Sequence, residues 1–118
     1  MAENSSNTAS GSHRSGAKRL IIMRHAEADW GLNDFDRPLT KRGHEQAAAA
    51  GAWLASRGYI PEQIMSSSAL RTRQTTTWVA DGLGSKAPTA HLDEGLYEVS
   101  AARIIARING VSENVHSL

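Results

Sequence analysis

The residues of this sequence best suited to chemistry are Arg24 and His25, which follow directly on the apolar run Leu20-Ile21-Ile22-Met23 and precede the acid Glu27. A guanidinium beside an imidazole suits phosphoryl transfer, because a fixed cation can hold phosphate oxygens while a neutral ring nitrogen attacks phosphorus. An Arg-His pair alone also fits a solvated strand end. Arg71 stands in a second suggestive place, after Ser66-Ser67-Ser68 and in the first turn of a helical pattern. Peptide N–H groups without intrahelical partners, together with the helix dipole, favour an anion there. Read on its own, Arg71, like Arg73, equally fits a solvated helix arginine. A third polar cluster, Asp93-Glu94-Gly95, follows the stretch Thr89–Leu92. The alternation His25-Ala26-Glu27-Ala28-Asp29 would also admit a metal, but no third anchored imidazole accompanies it, so that reading ranks behind. His13, His44 and His91 read as surface or core residues.

These residues need elements to position them. Residues 1–19 are mostly Ser, Asn, Gly, Thr and Ala and carry too little apolar surface to offset ordering entropy, so they are expected to form a disordered tail. Residues 20–118 then form one domain. Leu20–Met23, short and without polar alternation, predicts a buried parallel strand, and ligand sites in open α/β sheets lie at the carboxyl ends of such strands. Ala28–Leu39 has loop composition and is long enough to cover a site. Thr40 predicts the cap of an amphipathic helix over Lys41–Arg57, with Ala47, Ala50, Gly51, Leu54 and Ala55 on its small-residue face and Gly58 as a left-handed end. Gln63–Ser66 predicts a second strand. Ser67 or Ser68 then caps a helix over Ala69–Ala80, with Thr72, Thr76, Val79 and Leu83 inward and Asp81-Gly82 as its end. Thr89–Leu92 predicts a third strand, and Ser100 caps a helix over Ala101–Asn109 that buries Ile104, Ile105 and Ile108 before Gly110. Val115–Leu118 resembles the start of a fourth strand. Strand, loop and helix alternate three times, which predicts an α/β domain with a largely parallel sheet and gathers the three strand ends at one edge.

Composition narrows the function classes. The 118 residues carry 13 basic and 12 acidic side chains, a net charge of +1, so no overall field draws the chain to nucleic acid or to an anionic membrane. There is no cysteine, which removes thiolate catalysis, disulfides and cysteine-based metal sites. No stretch has the length and hydropathy of a membrane span or the apolar core of a signal peptide, and a cytoplasmic monomer is the expectation.

Three stretches then take on a joint meaning. Met23-Arg24-His25-Ala26, Leu39-Thr40-Lys41-Arg42-Gly43-His44-Glu45-Gln46-Ala47 and Ser66-Ser67-Ser68-Ala69-Leu70-Arg71-Thr72-Arg73-Gln74-Thr75 resemble successive motifs of the histidine phosphatase superfamily, with the small SixA-type phosphohistidine phosphatases as the most similar branch. The resemblance implies a three-layer α/β/α, phosphoglycerate mutase-like fold with a mostly parallel central sheet. It implies His25 as the nucleophile that becomes phosphohistidine, Arg24 and Arg71 as phosphate-binding arginines, and Glu94 as the acid that protonates the leaving group, with Glu98 close enough to take that part instead. It requires no cofactor and no metal. The implied substrate is phosphohistidine in a protein, or a small phosphate ester, at a site left open by the compact motif spacing.

The sequence also departs from that pattern. Superfamily members carry a second catalytic histidine in a Gly-His motif at the end of the fourth strand, and the sequence reaches Leu118 before such a motif. His116 does not replace it, since it lies at the start of that strand with no glycine before it. In the family's sheet the fourth strand sits between the first and second, and a fifth flanks the first. The expectation is therefore a truncated domain lacking its C-terminal strands, in which the first strand keeps neither neighbour, with unpaired backbone groups costing about 1–3 kcal/mol each and a poorly stable or loosely packed chain. The alternative function is an inactive remnant or a phosphate-binding module.

Overall fold

A computed structural model describes residues 17–31 and 33–118. Helix α1 runs over Lys41–Ser56, and the Thr40 hydroxyl accepts from the Gly43 N–H at 2.9 Å, the cap that the sequence predicts. Its buried residues Gly43, Ala47, Gly51 and Leu54 form one stripe at helical spacing. Past the helix, Gly58 turns at φ +73°, and the Tyr59 N–H returns to the Leu54 carbonyl at 2.8 Å.

Strand β1, Ile64–Ser67, and strand β2, Ala90–Asp93, pair in parallel, with Ile64 opposite Ala90 and Ser67 opposite Asp93. Each begins one residue later than the sequence predicts. Helix α2, Leu70–Leu83, connects them, so the fold is α/β with a βαβ unit at its centre. Two features of α2 correct the sequence reading. The capping position is Ala69, with no side-chain cap, while the Ser67 hydroxyl accepts from the Ala69 N–H at 3.3 Å. Asp81-Gly82 lies inside the helix, and the chain leaves it at Gly84, φ +92°.

Gly82 has a different task. A side chain there would run into the Ala48 carbonyl of α1, and one at Gly51 would run into the Val79 carbonyl of α2. The two glycines bring the helix backbones into contact, and Ala47, Leu54, Val79 and Leu83 form the core between them. Thr75, Val79 and Leu83 are the buried stripe of α2, while Thr72 and Thr76 are half-buried. Ile21, Ala26, Ile60 and Ile64 pack against that core from the strand side.

Leu20–Met23 does not form the predicted strand. Arg19 bridges Ser117 in parallel, through Arg19 N–H to the His116 carbonyl at 2.7 Å, Leu118 N–H to the Arg19 carbonyl at 3.0 Å and Ile21 N–H to the Leu118 carbonyl at 2.7 Å. On its other side the Ser117 carbonyl accepts from Glu62 and Gln63, at 3.0 and 3.3 Å. The last residues thus lie between the first stretch and the start of β1, which corrects the expectation that the first stretch keeps neither neighbour: it has a partner as far as Ile21. Beyond Ile21 that stretch has no ladder partner among the described residues, and Ile22 is 77% exposed. A groove of about 300 Å³ opens there, between Ile21–Met23 and Ile64–Ser66.

Helix α3 has its predicted bounds, Ala101–Asn109, and its predicted cap, with Ser100 accepting from the Arg103 N–H at 3.2 Å. Its isoleucines correct the expectation of burial. Ile104 and Ile105 are exposed and Ile108 is half-buried, because Ile104 and Ile108 border the groove and not a filled core. Of the segment expected to be a tail, residues 1–16 lie outside the described residues. Lys18 donates to the Glu113 carbonyl at 3.0 Å, and the Arg19 guanidinium lies 4.3 Å over the Tyr59 ring. Among the described residues no helix is long and apolar enough to cross a membrane.

The helix contact makes a prediction with opposed terms. Glycine to alanine inside a helix ordinarily gains up to about 1 kcal/mol of propensity. At Gly51 and Gly82 the added methyl meets backbone carbonyls, which cannot swing aside, and such overpacking costs about 1–3 kcal/mol. Gly51→Ala and Gly82→Ala are each expected to lower the urea midpoint, and equilibrium unfolding checks this.

Candidate active site

His25 lies just beyond the apolar stretch and borders the groove together with Ser67, Thr72 and Thr75. Its Nδ1 is 2.8 Å from the Ala26 carbonyl. A carbonyl can only accept, so Nδ1 is the donor in this contact and Nε2 is the ring nitrogen left free of it. The following residues fix the ring's place. The Ala26 N–H donates to the Thr75 hydroxyl at 3.0 Å, and that hydroxyl donates to the Arg71 carbonyl at 2.8 Å. The Glu27 N–H donates to Gln46 Oε1 at 3.0 Å, and the Glu27 carbonyl accepts from the Thr40 N–H at 3.0 Å. Gly43 allows this approach, because a side chain there would collide with the Glu27 carbonyl. The loop that follows is closed at its base by the antiparallel bridge of Ala28 with Leu39, and the Leu39 N–H reaches Gln74 Oε1 at 2.7 Å.

Arg71 stands in the first turn of α2, as predicted, but it is not a solvated helix arginine. Its side chain is 13% exposed. Nη1 donates to the Asp34 carbonyl at 2.7 Å and Nη2 to Asp34 Oδ2 at 3.0 Å. Asp34 opens a one-turn 3-10 segment, Asp34–Asp36, within the 28–39 loop. Its Oδ2 also accepts from the Tyr97 hydroxyl at 2.7 Å, and the Phe35 and Tyr97 rings meet edge to face at 5.1 Å. The Tyr97 hydrogen bond, and after it the Arg71 guanidinium, hold the Asp34 carboxyl below its usual range. Conversely, the Asp34 carboxylate pushes the Tyr97 phenol up to about 12. Arg73, by contrast, turns to the Ser68 carbonyl, with Nε at 2.9 Å.

Glu94 begins a second 3-10 turn, Glu94–Leu96, at the carboxyl end of β2. Asp93 holds the turn by accepting from the Gly95 N–H at 2.9 Å and pairs with Arg107 of α3 at 3.5 Å. The Tyr97 N–H returns to the Glu94 carbonyl at 3.2 Å, and Glu98 follows in the left-handed region at φ +51°. Arg24, Glu94 and Glu98 are exposed.

The structure thus brings the His25 segment to the start of α2 through Thr75, and the start of α2 to the Glu94 turn through Asp34 and Tyr97. Among the described residues no hydrogen bond or ion pair joins Arg24, His25, Arg71 and Glu94 to one another. Thr75, Asp34 and Tyr97 carry these links and had no role in the sequence reading. Thr75 lay inside a motif and Tyr97 three residues past Glu94, so the signal was proximity alone. The set His25, Glu27 and Asp29 does not converge: Glu27 Oε1 takes the Thr40 hydroxyl at 3.3 Å, and Asp29 Oδ1 takes the Trp30 N–H at 2.8 Å. His44 stacks on Trp78 at 5.2 Å, and His91 is exposed on β2.

Comparison with known proteins decides the family. Residues 20–108 match the model of the histidine phosphatase superfamily (branch 1). The chain belongs to this superfamily. An uncharacterised Mycobacterium tuberculosis protein is 38% identical over 98 residues, which is 81% of this chain and 59% of that protein. The structure of a SixA protein from Nakamurella multipartitia superposes with a TM-score of 0.75 at 33% identity, over 87% of this chain and 57% of the other. That of the protein histidine phosphatase SixA complexed with tungstate gives 0.75 at 28%, over 83% and 64%. The chain therefore spans less than two thirds of the length of each of these histidine phosphatase superfamily relatives. The matched region includes Arg24, His25, Arg71 and Glu94.

The phenol and carboxyl shifts have opposite pH signatures. The raised phenol stabilises the fold fully below its ordinary value of 10.0, and that contribution is lost as pH rises through about 12. The depressed carboxyl of Asp34 contributes above the ordinary carboxylate range and ceases to do so as pH falls through its lowered value. In a phenolate absorbance titration, one of the two tyrosines is expected to ionise near 12, and Asp34→Asn to return it toward 10.0. Unchanged titration in that variant would disprove the contact.

Proposed function

We propose that this site performs the phosphoryl transfer of a phosphohistidine phosphatase, acting on phosphohistidine in proteins, with small phosphate esters as further substrates. The observation that carries the reading is the placement of His25 next to the Ala26 N–H that Thr75 ties to α2. With Nδ1 engaged by the Ala26 carbonyl, Nε2 is the ring nitrogen left to attack, in a segment held to α2 through Thr75. Superfamily membership, and a SixA neighbour whose structure contains tungstate, a tetrahedral oxyanion of phosphate's shape, support it.

In the proposed reaction Nε2 of His25 attacks phosphorus, the new N–P bond forms, and the bond to the leaving imidazole breaks. Glu94 gives that imidazole its proton. Water then attacks the phosphohistidine and releases inorganic phosphate, with Glu94, now a carboxylate, taking the water's proton. Arg24 and Arg71 meet the charge on the phosphoryl oxygens. A preorganised donor of this kind contributes roughly 2.7–4 kcal/mol, about 10²–10³ in rate.

The second reading, a module that binds phosphate without turnover, draws on the absence of direct contacts among the four side chains in the described residues. One set of assays separates the two. On a phosphohistidine protein the first reading expects turnover by the wild-type chain, a labelled phosphoenzyme that His25→Ala abolishes, and a loss of about 10²–10³ in Arg71→Ala. Normal turnover by His25→Ala would overturn the nucleophile assignment. Phosphate binding with no turnover in the wild-type chain would leave the second reading.

A further inference from the structure

We propose that the turn over residues 33–37 is a cover latched by Asp34 onto Arg71, and that a phosphoryl group enters by displacing the Asp34 carboxylate. This rests on Arg71 being a phosphate-binding arginine. A guanidinium holds a phosphoryl group through paired N–H donors in a fork. In Arg71 the Nε is enclosed and has no hydrogen-bond partner, which leaves the two Nη groups for a ligand. Both are already engaged by one residue, Nη1 by the Asp34 carbonyl at 2.7 Å and Nη2 by Asp34 Oδ2 at 3.0 Å. The loop's own carboxylate thus occupies the position of an anionic ligand.

The latch involves more of the loop than Asp34. Oδ1 takes Arg37 Nη1 at 3.4 Å, Oδ2 takes the Tyr97 hydroxyl at 2.7 Å, and Phe35 packs its ring against Tyr97. The Asn33 side chain caps the turn by accepting from the Asp36 N–H at 3.1 Å. Residues 33–37 are therefore fastened as one piece to α2 and to the turn after β2. The fastening is also shallow. The Asp34 side chain is 43% exposed against 13% for Arg71, so a released carboxylate returns to water it already touches, while the arginine stays in place. An exposed carboxylate in such a pair contributes little and yields to a ligand of higher charge. A phosphoryl dianion offers two oxygens to the same donors and more charge than the carboxylate it replaces.

Calorimetric titration of the 118-residue chain with inorganic phosphate tests this. Asp34→Asn retains the backbone carbonyl and removes the competing charge, and Asp34→Ala removes the side-chain acceptor altogether. Both are expected to bind phosphate roughly fivefold more tightly than wild type, with Arg71→Ala removing that gain. Hydrogen exchange supplies a readout that a structural role would not move: phosphate is expected to speed exchange at the Asp36 and Arg37 amides as the turn is released. Unchanged or weaker binding in both Asp34 variants, with phosphate still bound by wild type, would overturn the latch and leave the phosphatase reading standing. Phosphate bound by none of the folded forms would strike the Arg71 assignment itself, and the latch with it.

Discussion

The position of His25 relative to Arg71 depends on one buried hydroxyl. Thr75 donates to the Arg71 carbonyl one helical turn back, which points an oxygen lone pair away from the helix, and the Ala26 N–H takes it. The arrangement matters because the stretch before His25 is held by backbone ladder bonds only as far as Ile21. From there to Ala26 the chain has no strand beside it among the described residues, so the Thr75 bond and the Gln46 bond to Glu27 set its register. A methyl in place of the Thr75 hydroxyl would fill the same space, yet it would leave the Ala26 N–H without its partner, at a cost of about 1–3 kcal/mol. The placement of His25 thus rests on a residue that is itself only 6% exposed.

What supports Thr75 is the close approach of α1 and α2. Gly51 and Gly82 remove the side chains that would separate the two backbones, and Gly43 does the same where α1 meets the Glu27 carbonyl. The three contacts form one chain of consequence. Gly43 and the Thr40 cap set where the loop returns to α1, the helix contact sets where α2 lies against it, and α2 carries both Thr75 and Arg71. Small residues at these points do more for the site than the larger apolar side chains, because they set distances between backbones that no rotamer change can adjust.

Much of this was legible in the sequence. Thr40 and Ser100 signalled their helices because a cap is a local event, decided within four residues, and the bounds of α3 followed from it. The ends of β1 and β2, which lead to Arg71 and Glu94, were legible because apolar runs break sharply into polar residues there. The end of α2 was misread for a physical reason: a glycine late in a helix serves equally as a terminator or as a contact, and only the position of α1 distinguishes them. Leu20–Met23 and the isoleucines of α3 were misread for a related reason. Apolar pattern reports what a segment would bury, and burial also needs a partner in place. Asp34, Thr75 and Tyr97 were illegible because their contacts join residues 37, 49 and 63 positions apart.

The site therefore divides into two layers of unlike character. Beneath lie His25 and Arg71, fixed through α1, α2 and β1 by contacts between backbones and by buried hydroxyls. Above lie the loop around Asp34 and the turn around Tyr97, joined to each other by one phenol hydrogen bond and one aromatic edge contact, and to the lower layer by the pairing of Asp34 with Arg71. None of the residues in the 34–36 or 94–96 turns is itself buried. Opening therefore breaks a few surface interactions and leaves the guanidinium and the imidazole where they were. Under the proposed latch, this separation lets Arg71 be preorganised for an anion while remaining covered in the anion's absence, because the forces that place it and the forces that cover it come from different residues.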